Sequence, residues 1–290
     1  MLRHRWFEIV GDYSGRQLTN SRDKLIALSG LAHSYYERES KSGVSYKDYK
    51  GGRRGKYAAG LWEADMPSAL LWRAPSGQRP SEYRAPTWSW ASVDGHISYD
   101  SQMLESESQH GGIWVPDDPP SPRETSEYDF GAFHVEEIEA TTSSLDSMGA
   151  VSAGHIILTG LVAITIIDEE SYTDSEPDSE STYTWLRDRD GLVVGVLLAD
   201  VQTEVRPNNI YCISVRDEQD GAVVEMPKEL HEVNHRTVGE ESENIKMVMG
   251  LGLVKIGEEE DKKVFKRLGL VRWVRKDLFF GKEVSTIKII

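Results

Sequence analysis

The residues with the most recognisable chemical spacing are His231-Glu-Val-Asn-His235, a literal match to H-E-x-x-H. In that pattern two histidines one helical turn apart bind zinc and the intervening glutamate serves as general base. It requires a helix and a third ligand. The surrounding run, Lys228-Glu-Leu-His-Glu-Val-Asn-His-Arg-Thr-Val-Gly239, is β-branched and Asn-bearing, so its helical propensity is poor. Gly239 stands one position late for the longer zinc-protease motif, and no third histidine follows. Glu258, Glu259 and Glu260 could supply a carboxylate, but they fall in an acidic turn between two expected strands. A short pattern with three fixed positions arises often by chance. No metal is therefore assigned, and zinc-dependent hydrolysis through His231, Glu232 and His235 stands as the alternative reading.

Three further motifs carry less. Gly51-Gly-Arg-Arg-Gly-Lys56 resembles a phosphate loop superficially, yet Tyr57 replaces the required Ser/Thr and Lys50 occupies the position of the first glycine. With Lys47 and Lys50 it forms a basic connection, read first as a solvated loop. Ser21-Arg-Asp-Lys24 matches S-x-x-K without the partner motifs that would make Ser21 a nucleophile, and helix capping accounts for it. Gly250-Leu-Gly252 lacks the third glycine of a dinucleotide fingerprint and lies inside an apolar run. These residues yield no catalytic assignment and no cofactor.

The elements available to position such groups change character near residue 83. Leu25, Leu28, Leu31 and Tyr35 recur at helical spacing over 19–39, behind Thr19, Asn20 or Ser21 as N-cap candidates. Trp6, Ile9 and Val10 predict a shorter helix before it, closed by Gly11. Tyr57, Leu61 and Trp62 suggest helix again over 57–73, with Pro67 starting a second short piece. From Pro86 onward the period is two, which predicts strands at 87–93, 96–100, 133–140, 155–167, 183–187, 192–200, 209–215, 245–256, 264–274 and 283–290. In 155–167 the face of Ile156, Leu158, Val162, Ile164 and Ile166 is apolar throughout, and Gly160 is a candidate kink. Residues 101–129 and 168–181 read as mobile loops, the first Pro-rich and the second acidic. The fold class expected is α+β, with N-terminal helices packed on a mainly antiparallel β body, sandwich or barrel-like. The division expected is a helical segment at 1–82 and a β domain at 83–290.

At the junction lies Arg84-Ala-Pro-Thr-Trp-Ser-Trp-Ala-Ser-Val-Asp-Gly95. On an extended strand Trp88 and Trp90 would share one face, and their rings mark a core packed against 19–39 or 57–73. Pro86 would start the strand, and Asp94-Gly95 would supply the positive φ of a two-residue turn, so a hairpin is predicted.

Tyr83 to Gly95 also resembles a signature found in fungal heterokaryon incompatibility (HET) domain proteins, downstream of the HET domain itself. Further segments resemble the same family in the same order: Asp23-Lys-Leu-Ile-Ala-Leu-Ser-Gly-Leu-Ala32, Tyr57-Ala-Ala-Gly-Leu-Trp62, Leu70-Leu-Trp72 and Phe265-Lys-Arg-Leu-Gly-Leu270. The three blocks that mark the HET domain are absent from the 290 residues: Ala-Leu-Ser-Tyr-x-Trp-Gly, Trp-x-Asp-x-x-Cys-Ile-x-Gln and Gly-Trp-x-x-Gln-Glu-Arg. The resemblance thus implies the C-terminal region of such a protein, cut free of its effector domain. It implies a regulatory or recognition role in non-self recognition and programmed cell death, without enzymatic activity, and a protein partner. In this role Arg84, Pro86, Trp88, Trp90, Asp94 and Gly95 are structural signature residues.

Composition narrows the partners. Residues 1–90 carry 15 basic and 9 acidic side chains, whereas 91–290 carry 18 and 39, for a net charge of -15. An acidic body argues against nucleic acid, whose phosphates need a cationic surface. The one cysteine, Cys212, excludes an internal disulfide and suits a reducing compartment, so a cytoplasmic location is expected. The N-terminus has no apolar run of signal-peptide length, and the longest apolar stretch, 156–167, is short of the roughly 20 residues a membrane-spanning helix needs, so no membrane partner is expected.

Overall fold

The structure, a computed structural model, describes residues 3–41, 55–99, 133–173, 182–201, 207–217 and 246–290. Helices α1 (Arg3–Ser14) and α2 (Ile26–Lys41) come first, separated by a 3-10 turn at Ser21–Asp23. Short strands follow: β1 (Tyr57–Ala58), β2 (Leu61–Trp62), β3 (Trp72–Arg73) and β4 (Ser98–Tyr99). The body is built from β5 (His134–Thr142), β6 (Val151–Thr173), β7 (Thr182–Arg187), β8 (Val193–Ala199), β9 (Asn209–Asp217), β10 (Met247–Glu259), β11 (Lys262–Arg275) and β12 (Val284–Ile289). The chain is an α+β protein whose N-terminal helices precede a predominantly antiparallel β body.

Six of the body strands close on themselves. β6 pairs with β9, β9 with β10, β10 with β11, β11 with β8, β8 with β7 and β7 again with β6, all antiparallel. Closure removes the sheet edge within the ring and with it the row of unpaired backbone groups an edge would present. β12 lies outside it, antiparallel to the first half of β6 and parallel to the start of β11, and β5 pairs, among the described residues, with β6 alone. The ring interior is tight because small residues line it. Ala163, Cys212 and Gly252 face Leu197, Ile210 and Val271, and a Cβ added at Gly252 would stand 2.7 Å from Leu197 Cδ1. The glycines of the Gly250-Leu-Gly252 run thus serve packing.

A second, larger apolar cluster runs from Trp6 to Ile289. It joins α1 and α2, the tryptophan-rich segment 57–99, the first half of β6, β12 and the outer face of β9 to β11. β6 serves both cores by exchanging faces. Ile156 and Leu158 are buried in the larger cluster, but past Gly160 it is Ala163 and Thr165 that turn inward, leaving Ile164 and Ile166 partly exposed. The single apolar face expected over 155–167 therefore holds only for its first half, because the strand passes from an open layer into the ring. Gly160 introduces no register shift, and its missing side chain admits Phe133, whose Cβ lies 2.9 Å from the position a Cβ would take.

Elsewhere the structure departs from expectation for local reasons. α2 starts at Ile26 rather than 19, because Asn20 caps the separate 3-10 turn by accepting a hydrogen bond from the Arg22 amide at 3.1 Å. Leu25, just before the helix, and Leu28 and Ala32 within it form a buried stripe, while Leu31, one residue or about 100° round from Ala32, is 53% exposed. α1 runs through Gly11 to Ser14. The helix expected at 57–73 is replaced by the β1–β2 hairpin and two 3-10 turns, Glu63–Asp65 and Ser68–Leu70. Its turn, Ala59-Gly60, has φ of 46° and 93°, the pair of positive values that a tight hairpin turn requires. Of the acidic stretch 168–181, residues 168–173 belong to β6 and pair with β7 through Ser171, Tyr172 and Thr173. Residues 174–181, the stretch 101–129 and most of the basic connection at 42–54 lie outside the described residues.

Candidate functional site

The segment 83–95 forms no strand. Thr87 donates its backbone N–H to the carbonyl of Ile290 at 3.1 Å, and the Ser89 amide turns back to Pro86 O at 3.0 Å. Ser89 Oγ then accepts the Ala91 amide at 3.0 Å, capping a 3-10 helix at Trp90–Ser92. With these amides committed locally, β4 pairs with β3 instead, and the predicted hairpin does not form. Gly95 has the positive φ expected of it, 118°, but Asp94 does not, and Asp94 is bridged to Gln78 through two backbone hydrogen bonds of 2.7 and 3.0 Å.

The side chains of this segment are enclosed between α1, the β1–β2 turn and β6. Trp88 and Trp90 are both fully buried. Trp90 Nε1 donates to Gly60 O at 3.0 Å, and Trp6 Nε1 donates to the same carbonyl at 3.0 Å, so α1, the β1–β2 turn and the 83–95 segment meet at one oxygen. Gly60 is the residue that fits there: a Cβ would lie 2.6 Å from Trp90 Nε1. The carbonyl of Trp88 accepts from Trp72 Nε1 at 3.0 Å, and Pro86 closes on Gly154 of β6.

Arg84 binds the same place electrostatically. It is buried, and donates from Nε to Ala91 O at 2.7 Å and from Nη1 to Ser21 O at 3.0 Å. Its Nη2 stands 2.7 Å from Asp94 Oδ1 as an ion pair. Beside it lies Lys24, 3% exposed, which donates from Nζ to Val93 O and sits 5.5 Å above the Trp90 ring. Burial, reinforced by the Arg84 charge, pushes the Lys24 ammonium down to about 8. Below pH 8 Lys24 is charged in both native and unfolded chains. Between about 8 and its unperturbed 10.5 the native protein releases the proton first, so the unfolded chain holds more protons and stability rises with pH. Above pH 10 Tyr57 and Tyr99, raised by burial, keep their protons while the unfolded phenols ionise, and stability falls. The melting temperature of wild type relative to Lys24→Met is expected to climb from pH 8 to 10. A difference that is flat over that window contradicts the assignment.

A second polar knot joins the segment to the ring. Arg267 of β11 is 0% exposed and forks onto Asp200 through Nε to Oδ2 at 2.8 Å and Nη2 to Oδ1 at 3.0 Å. Its guanidinium also donates to Leu70 O and to Trp72 O (2.6 Å), and stacks 3.6 Å from the Trp72 ring centre. The Arg267 amide donates to Thr87 Oγ1 at 3.0 Å, and Thr87 Oγ1 donates to Ile290 O. A bidentate guanidinium is suited to this role, because one side chain satisfies a buried carboxylate and two carbonyls of neighbouring segments.

Arg84, Trp88, Trp90 and Asp94, singled out in the sequence, are thus brought together, with Pro86 and Gly95 shaping the turns around them. Lys24, Asp200 and Arg267 were missed as partners, although an aspartate after the apolar run 193–199 and an arginine inside an otherwise apolar strand are visible signals of buried charge. His231, Glu232 and His235 lie outside the described residues. Cys212 faces the ring interior beside Thr165 Oγ1 at 3.5 Å, and burial pushes its thiol up to about 12, far from a reactive thiolate at neutral pH. Among the described residues, Glu137, Glu139 and His155 have the composition and spacing of metal ligands, with one donor atom each all within 4.8 Å. No helix among the described residues is long and apolar enough to cross a membrane. No family model, curated protein or solved structure matches the chain.

Proposed function

We propose that the chain is a non-enzymatic regulatory and recognition region of a fungal heterokaryon-incompatibility-type protein, acting in the cytoplasm through a protein partner in non-self recognition and cell death. The observation that supports this reading is how the resemblance-bearing residues are used. Trp90 shares the Gly60 carbonyl of the β1–β2 turn with Trp6 of α1, Arg84 reaches the 3-10 turn at Ser21 and pairs with Asp94, the Trp88 carbonyl accepts from Trp72, and Thr87 ties the segment to β11 and the C-terminal residue. Such residues make a scaffold that holds two parts of a molecule in fixed relation. In a regulator that relation is what a partner would bias, by binding one arrangement of the helices and body better than another.

Inducible expression of the 290 residues in a filamentous fungus, followed by viability staining, tests the reading. The HET marker blocks are absent from these residues, so expression alone is expected to leave cells alive. Death that persists in a His231→Ala/His235→Ala variant overturns the reading. Death abolished by that variant moves the assignment to zinc hydrolysis.

A further inference from the structure

Three side chains unrelated to the 83–95 segment converge on the outward face of the β5–β6 hairpin. Glu139 and His155 are direct partners in the antiparallel ladder, so they share a face, and Glu137, two residues before Glu139, projects to the same side. The opposite face is core: Ile138 and Ile156 are buried. His155 Nε2 stands 3.8 Å from Glu137 Oε2, and the three donor atoms all fall within 4.8 Å of one another. Ligands at about 2.0–2.2 Å from a tetrahedral zinc lie roughly 3.3–3.6 Å apart, so modest rotation of two glutamate side chains closes the set.

The hairpin backbone is held by the β5–β6 ladder, and β6 is paired on its other side with β12 from Ile156 onward. The donor set is the point that separates this group from an ordinary solvated acidic face. Carboxylates alone would favour hard cations, whereas an imidazole held between two carboxylates favours zinc and its neighbours. We propose that Glu137, Glu139 and His155 bind one divalent metal ion of the zinc class, independently of His231 and His235. The charges around the group are mixed. Lys56 Nζ lies 3.9 Å from Glu139 Oε1 and must yield to the ion. Glu259 is salt-bridged to Lys288 at 2.8 Å, and that lysine holds its carboxyl below the usual range. Three protein ligands leave a fourth position for water or a partner's side chain. The ion would clamp β5, which among the described residues pairs with β6 alone, to the body.

Titration calorimetry of the full chain with zinc chloride tests this in wild type, Glu137→Gln, His155→Ala and His231→Ala/His235→Ala. Wild type is expected to bind zinc with a Kd of about 10 μM or tighter, and the double-histidine variant to retain that event. Glu137→Gln and His155→Ala are expected to weaken it by about tenfold or more, with magnesium giving no competing heat. Unchanged affinity in both of those variants, or binding lost only in the double-histidine variant, overturns the proposal, as does wild-type binding weaker than about 100 μM. Anomalous diffraction from zinc-grown crystals gives a readout that does not depend on how a variant folds. A peak between Glu137 and His155 supports the site, and a peak found only elsewhere refutes it.

Discussion

Replacing Arg267 with methionine is expected to lower the unfolding free energy by about 3–5 kcal/mol, the range for removing one partner of a buried ion pair and leaving the other charge uncompensated. For a chain of this size that corresponds to a fall of roughly 6–20 °C in melting temperature. The size of the effect follows from where Asp200 would be left: it is 1% exposed, and its amide is already committed to Leu268 O. Leu70 O and Trp72 O would lose a charged donor at the same time. Removing both charges should be milder. In Arg267→Met/Asp200→Leu no lone ion remains, so more than half of the loss is expected to return, the remainder being the cost of the two orphaned carbonyls. Urea and thermal melts of both single variants and the double variant separate these terms. An Arg267→Met protein within about 1 kcal/mol of wild type would show that the knot is structurally idle.

The contrast between what was legible in the sequence and what was not has a common physical origin. Val193–Ala199, Met247–Glu259 and Lys262–Arg275 could be read as strands because each carries a run of apolar residues, buried without interruption over 193–199, and such a run is a local property. The turn at Ala59-Gly60 and the winding of 87–92 could not. Periodicity was no guide at the first of these, since Tyr57, Leu61 and Trp62 satisfy a helical spacing and a hairpin equally well. Two tryptophans at i and i+2 fit a strand, but Ser89 and Thr87 had better hydrogen-bond partners: an amide two residues on and the carbonyl of Ile290. The knot at Arg267 draws on residues up to 197 positions apart, and the Glu137–Glu139–His155 group appears only once β5 is laid against β6 in register. Burial of Trp88 and Trp90 was legible because ring size alone favours it. The same residues' backbone geometry was not.

Truncating Trp90 to alanine is expected to cost about 3–5 kcal/mol, as is truncating Trp88, since both rings are wholly enclosed and their neighbours are held by other segments and cannot collapse fully into the gap. The more informative comparison is with phenylalanine, which keeps most of the ring and removes only the N–H. Trp90 Nε1 has a partner in Gly60 O, so Trp90→Phe should lose a hydrogen bond, about 0.5–1.5 kcal/mol beyond its packing change. The value should fall at the low end, because Trp6 continues to donate to the same oxygen. Trp88 Nε1 has no partner among the described residues. Its removal deletes a buried donor that gains nothing from folding, so Trp88→Phe should be the less damaging of the two phenylalanine variants. Denaturant melts of the four single variants give the order directly. If Trp88→Phe proves as costly as Trp88→Ala, the indole nitrogen has a partner and the tightness of this junction must be assigned to that bond instead of to ring burial.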